Sequence, residues 1–344
     1  MSVPATRPDQ GSDWPGVTLH IVTGKGGTGK STVAAALALA LASHGRDVLL
    51  CEVEGRQGIS RMFDVDPLPY QERRVATGLT PGASRQSPGS LYALHIDAEE
   101  ALLEYLAMYY RLGRAGRLLD RFGVTEFATT IAPGVRDVLL TGKVYEAARR
   151  TGKKGTGRQY DAIVLDAPPT GRISQFLNVN SELAGLAKMG PIKKQADNIM
   201  ALFHSSRTVV HLVTVLEEMP VQETADGIAQ LREHRLAVGG VVVNLVRPQD
   251  LDAGELSAAR RGSLDTEEVA ADLRSAGIEV DDALVPALLT EARDHAERRT
   301  LEDAQRKLVG DLDVATYELP RLPTGVDLGA LYELAAELKN QGMA

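Results

Sequence analysis

The sequence contains a single cysteine, Cys51, among 344 residues. One thiol excludes an intrachain disulfide and any site built from several thiolates of one chain, such as an iron–sulfur cluster or a three-cysteine metalloid site. So little cysteine suits a reducing compartment. We therefore expect a cytoplasmic protein that contacts a membrane peripherally at most.

A basic excess and long apolar runs are also lacking. The formal net charge is −8, which argues against a broad nucleic-acid surface, so we expect no nucleic-acid partner. No uncharged run approaches the ~18 apolar residues of a membrane-spanning helix, so we expect no intrinsic membrane span. Residues 1–16 are polar, contain three prolines and lack an apolar signal segment; we predict that they form a disordered tail. Aromatic residues make up only 4% of the chain, so the core must consist mostly of Ala, Leu and Val.

Short β-branched runs alternate with longer helical stretches along the rest of the chain, which is typical of a parallel sheet covered by helices on both faces. The strand runs are almost continuously apolar, as buried parallel strands are. We predict one α/β domain over 17–344 with a doubly wound, mostly parallel sheet. The predicted strands are 18–23, 47–53, 91–97, 160–167, 208–216, 239–246 and, closing the sheet, 313–320.

Some segments do not fit simple crossovers. Residues 98–150 and 174–206 are too long and predominantly helical, so we predict that they contribute a helical subdomain at one end of the sheet. Residues 80–90, 151–158 and 247–265 have the composition of exposed connections.

Residues 24–31 read GKGGTGKS and match the phosphate-loop pattern G-x-x-x-x-G-K-[ST] at every fixed position, between a predicted strand and a predicted helix. Glycines allow backbone N–H groups to converge on phosphate oxygens. Lys30 should bridge the β- and γ-phosphates, and the Ser31 hydroxyl should ligate Mg²⁺. We therefore predict a P-loop NTPase with ATP and Mg²⁺ as cofactors. Its predicted phosphate-binding residues are Gly24, Lys25, Gly26, Gly27, Thr28, Gly29, Lys30, Ser31 and Thr32.

Asp166 ends the apolar run YDAIVLDA, at the edge of the sheet where ligands of open α/β folds bind. An aspartate there can hold Mg²⁺ through water, although it could also serve only as a cap of a turn. Pro168 and Pro169 then form a stiff turn before Gly171, which is free to approach the γ-phosphate. A loop of this kind could change conformation when that phosphate leaves.

Lys25, directly after the first loop glycine, is not needed by an ordinary phosphate loop. KGGTGKST resembles the deviant loop of a class of dimeric ATPases that includes septum-site, chromosome-partition, nitrogenase-reductase and arsenite-pump proteins. The resemblance implies that Lys25 crosses a dimer interface and stabilises the transition state in the partner's site, in the manner of an arginine finger. Without that resemblance, Lys25 could be a solvated loop lysine.

Two further stretches narrow the resemblance to the ArsA and guided-entry ATPases. DAPPTGRISQFL is similar to that family's switch sequence, and VLLCEVEGRQGISRMFDV to its preceding loop. The resemblance implies that Glu54 stands where the family has its water-activating aspartate, although an unaided surface acid would mean little. It also implies that Asn244 reads adenine and that Pro320 and Leu322 back the base. It extends from about residue 17 to the C-terminus and implies an ATPase that works as a homodimer or as a heterodimer with a paralogue.

The chain also departs from these relatives. It is single-length and lacks both the three cysteines of the arsenite pump's ATPase and the zinc-binding C-x-x-C pair of guided-entry ATPases, so arsenite specificity is not expected. Arg172 and Ile173 replace the family's His and Thr. Arg172 could contact phosphate or the partner chain, or simply be exposed.

Guided-entry relatives hold an apolar segment in a helical groove, and the matching stretches here are 99–123 and 182–203. Their Leu and Met residues suit a surface that repacks around varied clients, but they could equally form the subdomain core or a dimer contact. We predict a dimeric Mg-ATPase that couples hydrolysis to binding or release of a hydrophobic protein client or membrane partner. The alternatives are an ATPase subunit that energises a membrane transporter and a nucleotide-gated binding module with little turnover.

Overall fold

The computed structural model describes residues 12–53, 57–79, 89–110, 133–150, 157–178, 191–323 and 325–344. Glu54, residues 1–11 and most of the predicted connections 80–90 and 151–158 lie outside these ranges. The same is true of residues 111–123 and 182–190 of the two apolar helical stretches.

Eight strands form one sheet in the order β3-β4-β2-β5-β1-β6-β7-β8. All neighbouring pairs run parallel except the edge pair β3–β4, which is antiparallel. The predicted doubly wound, mostly parallel sheet is thus confirmed. The strands are β1 (Leu19–Gly24), β2 (Val48–Glu52), β3 (Arg73–Thr77), β4 (Ser90–His95), β5 (Ala162–Asp166), β6 (Thr208–Thr214), β7 (Val238–Val246) and β8 (Thr316–Pro320).

Helices cover both faces of this sheet. The described helices are α1 (Lys30–Leu41), α2 (Gly58–Met62), α3 (Ala98–Tyr110), α4 (Pro133–Ala148), α5 (Thr170–Leu177), α6 (Pro191–Phe203), α7 (Glu218–Glu233), α8 (Ala253–Arg261), α9 (Thr266–Ser275), α10 (Leu284–Gly310) and α11 (Leu328–Asn340). A short 3₁₀ turn, Ala42–His44, follows α1 and ends at Gly45, whose φ of 74° is the left-handed conformation that glycine adopts without strain.

Two hydrophobic clusters lie on opposite faces of the sheet because successive residues of a strand point to opposite sides. Leu49 and Cys51 of β2 pack with α4 to α7, whereas Val48 and Leu50 pack with α1, α2 and α11. In α1 every residue from 33 to 41 is buried. This helix is rich in alanine, which lets it lie closely between the sheet and α11 and so fixes the loop at its N-terminus.

Three sequence expectations need correction. β3 was not predicted, because its half-buried RRVAT sequence has no continuous apolar run. Residues 253–261, within the predicted connection 247–265, form α8, which begins at a capping box between Asp252 and Glu255. Residues 12–16, which were predicted to belong to a disordered tail, contact the domain: the Tyr317 hydroxyl donates to Asp13 at 2.7 Å, and the Asp13 amide donates to the Gly342 carbonyl at 2.8 Å.

The segments 98–150 and 174–206 supply α3, α4 and α6, which pack on one another. Their described apolar side chains mostly face inward: Leu102 is buried beside Leu139, and Ile199 and Leu202 belong to a main core cluster. In this part of the two stretches, apolarity therefore reflects core packing rather than an exposed groove. None of the described helices is long and apolar enough to cross a membrane.

A pair of buried histidines joins β1 to β6. The Gly240 amide donates to His211 Nδ1 at 3.1 Å, so Nε2 of the neutral His211 ring carries the proton and donates to His20 Nδ1, also at 3.1 Å. Burial lowers the pKa of His211 to about 3. Burial, and then the proximity of His211 and Arg46, lower the pKa of His20 well below its usual value.

These two depressed pKa values predict an acid-sensitive fold. In the unfolded chain both histidines bind protons below pH ~6.5, whereas the folded state resists protonation. The free energy of unfolding should therefore be unaffected by this pair above pH ~6.5, and each histidine should lower it by up to ~1.4 kcal/mol per pH unit as the pH falls toward 3. Urea unfolding at a series of pH values measures this slope.

The matched variants are His20→Gln, which should reduce the slope below pH ~6.5, and His204→Gln. His204 is exposed, so its variant should keep the wild-type slope. Equal slopes in all three proteins would contradict the prediction.

Candidate nucleotide site

The phosphate loop joins β1 to α1 with the geometry that anion binding requires. Gly27 and Gly29 have φ values of 92° and 83°, in the left-handed region that favours glycine. A β-carbon added to Gly26 or Gly27 would meet no atom within 4 Å, so these two residues of the loop face open space. Helix α1 begins at Lys30, and its first N–H groups and dipole therefore face the same space.

Asn244 at the end of β7 supports this loop from the side. Its Nδ2 donates to the Thr28 carbonyl at 2.9 Å, and an added β-carbon on Gly29 would lie 2.3 Å from the same nitrogen. Asn244 is only 4% exposed. The residue that the family resemblance assigns to adenine therefore also holds the phosphate loop, across 216 positions of sequence.

Asp166 ends β5, next to β1 and therefore next to the loop. It is in register with Val22 of β1 on one side and with Glu52 of β2 on the other, and it is 5% exposed. The turn after Asp166 is attached to β1, because the Thr23 hydroxyl donates to the Pro168 carbonyl at 2.7 Å. Pro169 then precedes α5, and an added β-carbon on Gly171 would meet no atom within 4 Å.

Lys25 does not lie in free solvent. Its Nζ is 2.6 Å from Glu223 Oε1 on α7, and the other oxygen of Glu223 accepts a hydrogen bond from the Thr170 hydroxyl at 3.3 Å. Glu223 thus joins the phosphate loop to the first residue of α5. Glu223 was not predicted as a site residue, because its partner Lys25 lies 198 residues away and no local pattern marks it.

Glu52 is a second acidic residue that the sequence analysis missed. It ends β2 in register with Asp166, is 2% exposed, and accepts a hydrogen bond from the Gly58 amide at 2.9 Å. Glu52 could have been predicted in the same way as Asp166, because both are acidic residues near the end of a predicted buried strand. Glu54, the predicted water-positioning acid, lies outside the described residues.

The remaining predicted residues lie at the same edge of the sheet. Pro320 at the end of β8 is in register with Val246 of β7, and the Arg321 amide donates to the Val246 carbonyl at 2.8 Å. Leu322 packs against the cluster around α1 and α11. Pro320 thus ends the strand beside the one that carries Asn244, and Leu322 lies two residues beyond the end of that strand.

Arg172 contacts a described side chain of its own chain. Its Nη2 lies 3.8 Å from Oδ1 of Asp137, a buried residue of α4, while the arginine side chain itself is 54% exposed. The contact links the start of α5 to the helices of the segment 98–150.

The residues fit a nucleotide with magnesium in their chemistry. The open glycine loop, Lys30 and the N-terminus of α1 suit phosphate oxygens, and the Ser31 hydroxyl and the Asp166 carboxylate are oxygen ligands of the type that Mg²⁺ uses. No group of three or more His, Cys, Asp or Glu side chains within the described ranges could hold a metal on its own. Mg²⁺ usually binds through one or two protein groups together with phosphates.

A parallel sheet whose first strand leads through this glycine loop into a buried helix defines a P-loop NTPase. The profile of the anion-transporting ATPase (ArsA) family matches residues 17–206, more than half of the chain. The chain therefore belongs to the ArsA ATPase family, which confirms the resemblance, and it is an ATPase.

Its relatives include proteins of different lengths. It is 51% identical over 345 residues to the ATPase BagA of Mycobacterium tuberculosis, an alignment that covers 98% of this chain and 99% of BagA. It is 28% identical to the arsenical pump-driving ATPase of Acidiphilium multivorum, over 66% of this chain and 39% of that protein. It is 25% identical to the ATPase GET3 of Lachancea thermotolerans, over 67% of this chain and 73% of that protein.

Because Gly29 lies so close to Asn244, we predict that a side chain at position 29 weakens ATP binding. Gly29→Ala places a methyl group against the Asn244 amide and forces a left-handed backbone, which should displace the loop. A cost of about 1.4 kcal/mol or more would raise the Kd for ATP at least about tenfold. Gly310→Ala is the matched control, because its β-carbon would meet nothing within 4 Å and its φ lies outside the left-handed region. Equal ATP affinities in calorimetric titrations of the two variants would contradict the prediction.

Proposed function

We propose that this ATPase works as a dimer that binds Mg-ATP at the carboxyl edge of each sheet and completes each site with Lys25 of the other chain. In this arrangement Lys30, Ser31 and the loop amides bind the phosphates, Asp166 supports Mg²⁺, and Glu54 orients the attacking water. Mg²⁺ supplies charge neutralisation at the β- and γ-phosphates.

The observation that carries the proposal is the position of Lys25. Its ammonium is held by Glu223 on α7, although it directly follows the first glycine of the phosphate loop. Both side chains are about one-third exposed, at 30% and 35%, so the pair can exchange partners at moderate cost. A lysine released from Glu223 could reach the developing charge in a facing site, and hydrolysis would then require dimer closure.

Two exposed apolar side chains also support a partner at this edge. Met219 at the start of α7 is 59% exposed, and Leu245 at the end of β7 is 47% exposed. Leu245 has a φ of 59°, which is unusual for a leucine and is the kind of strain that concentrates at functional surfaces. Met219 follows the carboxyl end of β6 and Leu245 lies at the carboxyl end of β7, at the same edge of the sheet as the phosphate loop.

A route from the nucleotide to the helical segments is available. Helix α5 begins directly after the turn that follows Asp166, and the Arg172–Asp137 contact and packing join α5 to α4. A change in this turn on loss of the γ-phosphate would therefore move α4 and the helices α3 and α6 packed on it. We propose that this movement drives binding or release of a hydrophobic protein client or membrane partner, as the likeness to GET3 and to an arsenical pump-driving ATPase suggests. Arsenite itself is not proposed, because the one cysteine is fully buried in β2.

Sharing of the site between chains is tested by mixing two inactive variants. Lys25→Ala and Glu54→Gln should each lose steady-state ATP hydrolysis. In a mixed dimer, the chain that carries Lys25→Ala keeps its own Glu54 and receives the lysine of its partner, so one of the two sites is complete. Hydrolysis should therefore recover on mixing; no recovery, despite mixed dimers in crosslinking, would contradict action in trans.

The dimer surface is tested by Met219→Asp, which should weaken ATP-dependent dimerisation because it places a charge in the proposed contact. Leu308→Asp is the control: Leu308 is 52% exposed near the end of α10, which leads to the amino end of β8 at the opposite edge of the sheet. Analytical ultracentrifugation in the presence of a non-hydrolysable ATP analogue should show a lower dimer fraction for Met219→Asp than for Leu308→Asp. Identical dimer fractions would contradict this placement of the interface.

A further inference from the structure

The main chain of Lys25 is fixed, although its side chain is long. The Lys25 carbonyl accepts the Thr28 hydroxyl at 2.9 Å and the Thr28 amide at 3.3 Å. On the other side of Lys25, a β-carbon added to Gly24 would lie 2.4 Å from the carbonyl oxygen of Val213 on β6, so the loop has little room to shift toward that strand. The direction of the Lys25 ammonium is therefore set by rotation of its four-carbon side chain.

Glu223 determines that direction in the single chain. Lys25 Nζ lies 2.6 Å from Glu223 Oε1, and among the described residues no other carboxylate forms an ion pair with this lysine. Helix α7 carries Glu223 to the loop because it follows β6, the strand paired with β1. Since the two side chains are 30% and 35% exposed, the pair is open to solvent and to a competing anion.

Thr170, the first residue of α5, holds the other oxygen of the same carboxylate. Its hydroxyl donates to Glu223 Oε2 at 3.3 Å, and the residue is 4% exposed. Its methyl group also faces α7, because a β-carbon added to Gly227 would lie 3.5 Å from Thr170 Cγ2. A β-branched side chain with both branches against one helix has little freedom to rotate. The hydroxyl thus stays on Oε2, which leaves Oε1 directed at Lys25.

In this arrangement Lys25 has to leave Glu223 before it can act in a second chain. Loss of the ion pair is a cost that closure of the dimer must offset. A bound nucleotide can offset it, because the phosphates carry more negative charge than one carboxylate. Since the main chain of Lys25 is fixed, the exchange needs only rotation of the lysine side chain.

From this geometry we propose that Glu223 is a positioning residue for ATP hydrolysis: it retains Lys25 in its own chain until a facing site offers the phosphates of a bound nucleotide. The inference rests on the proposed function, because it takes the action of Lys25 in the partner's site as given. Glu223 therefore opposes closure of the dimer, and its removal should make closure easier.

Glu223→Gln removes the charge that holds Lys25 and keeps an oxygen that can accept the Thr170 hydroxyl. Because closure then breaks no ion pair, the Kd of the dimer should fall about two- to fivefold, the range of a partly exposed pair. Analytical ultracentrifugation over a range of protein concentrations, with a non-hydrolysable ATP analogue, measures this Kd. Added salt should narrow the difference from the wild type, because it screens the pair.

Hydrolysis gives a second readout of the same change. Because sites are completed by dimerisation, half of the maximal rate per chain should be reached at a protein concentration about two- to fivefold lower in Glu223→Gln than in the wild type. A purely structural role of Glu223 would not shift this midpoint to lower concentration.

Two controls separate the ion pair from a general effect of charge. In a Lys25→Ala background, Glu223→Gln should leave the dimer Kd unchanged, because the pair is already absent. Glu233→Gln removes the same charge from the exposed last residue of α7 and should keep the wild-type Kd. A fall of the same size in Glu233→Gln would overturn the inference.

The contribution of Thr170 is tested by two substitutions that divide its side chain. Thr170→Val keeps the methyl packing but loses the hydroxyl, so it should lower the dimer Kd by a smaller factor than Glu223→Gln. Thr170→Ser keeps the hydroxyl and should keep the wild-type Kd. Equal values for Val and Ser would overturn the role of the hydroxyl.

The outcomes distinguish this inference from the proposed function. If Lys25→Ala weakens dimerisation with the ATP analogue but Glu223→Gln does not strengthen it, the role of Glu223 alone is overturned. An equal effect of Glu223→Gln with and without Lys25→Ala overturns it as well. Wild-type dimerisation and hydrolysis in Lys25→Ala would instead overturn the proposed action of Lys25 in trans.

Discussion

The parallel register of β2, β5 and β1 is the constraint on which the site depends. It brings Glu52, Asp166 and the start of the phosphate loop to one edge of the sheet, although they come from three separate parts of the chain. The register itself is maintained by burial on both faces, since a shift of one residue would turn the core side chains of each strand to the wrong side. Helix α1 adds to this, because its alanine-rich residues 33–41 are buried between the sheet and α11.

The parts of the site that could be predicted from sequence are those defined by short-range patterns. The loop from Gly24 to Ser31 needs glycines, a lysine and a hydroxyl at fixed spacing, and Asp166 follows an unmistakable buried strand. The central strands were predictable for the same reason, since burial on both faces leaves continuous apolar runs. Edge elements lack that signal: β3 contains two arginines, and α8 is recognisable only by its capping residues, Asp252 and Glu255.

The long-range contacts could not be predicted in this way. Glu223 holds Lys25 from 198 positions away, and Asn244 binds the Thr28 carbonyl from 216 positions away. No periodicity or spacing in one sequence records such pairs, because they depend on which strands become neighbours. The helical stretches show a different limit. Leu102 and Ile199 have the apolarity of a client surface, yet they are buried, and hydrophobicity alone does not distinguish core from groove.

The contacts around the candidate site have a common property: each joins two different elements of the fold. Glu223 joins the phosphate loop to α5 and α7, Arg172 joins α5 to α4, and Glu52 joins the sheet edge to α2. The first two are partly exposed ion pairs, which solvent weakens and which can therefore exchange partners during a catalytic cycle. The acceptor of the hydrogen bond from Gly58 is the Glu52 carboxylate, which is 2% exposed, so breaking this bond would cost more. The candidate site thus combines a hydrogen bond that holds the start of α2 on β2 with exchangeable contacts at Lys25 and Arg172, the two places where nucleotide state would have to be communicated to a second chain and to the helical segments.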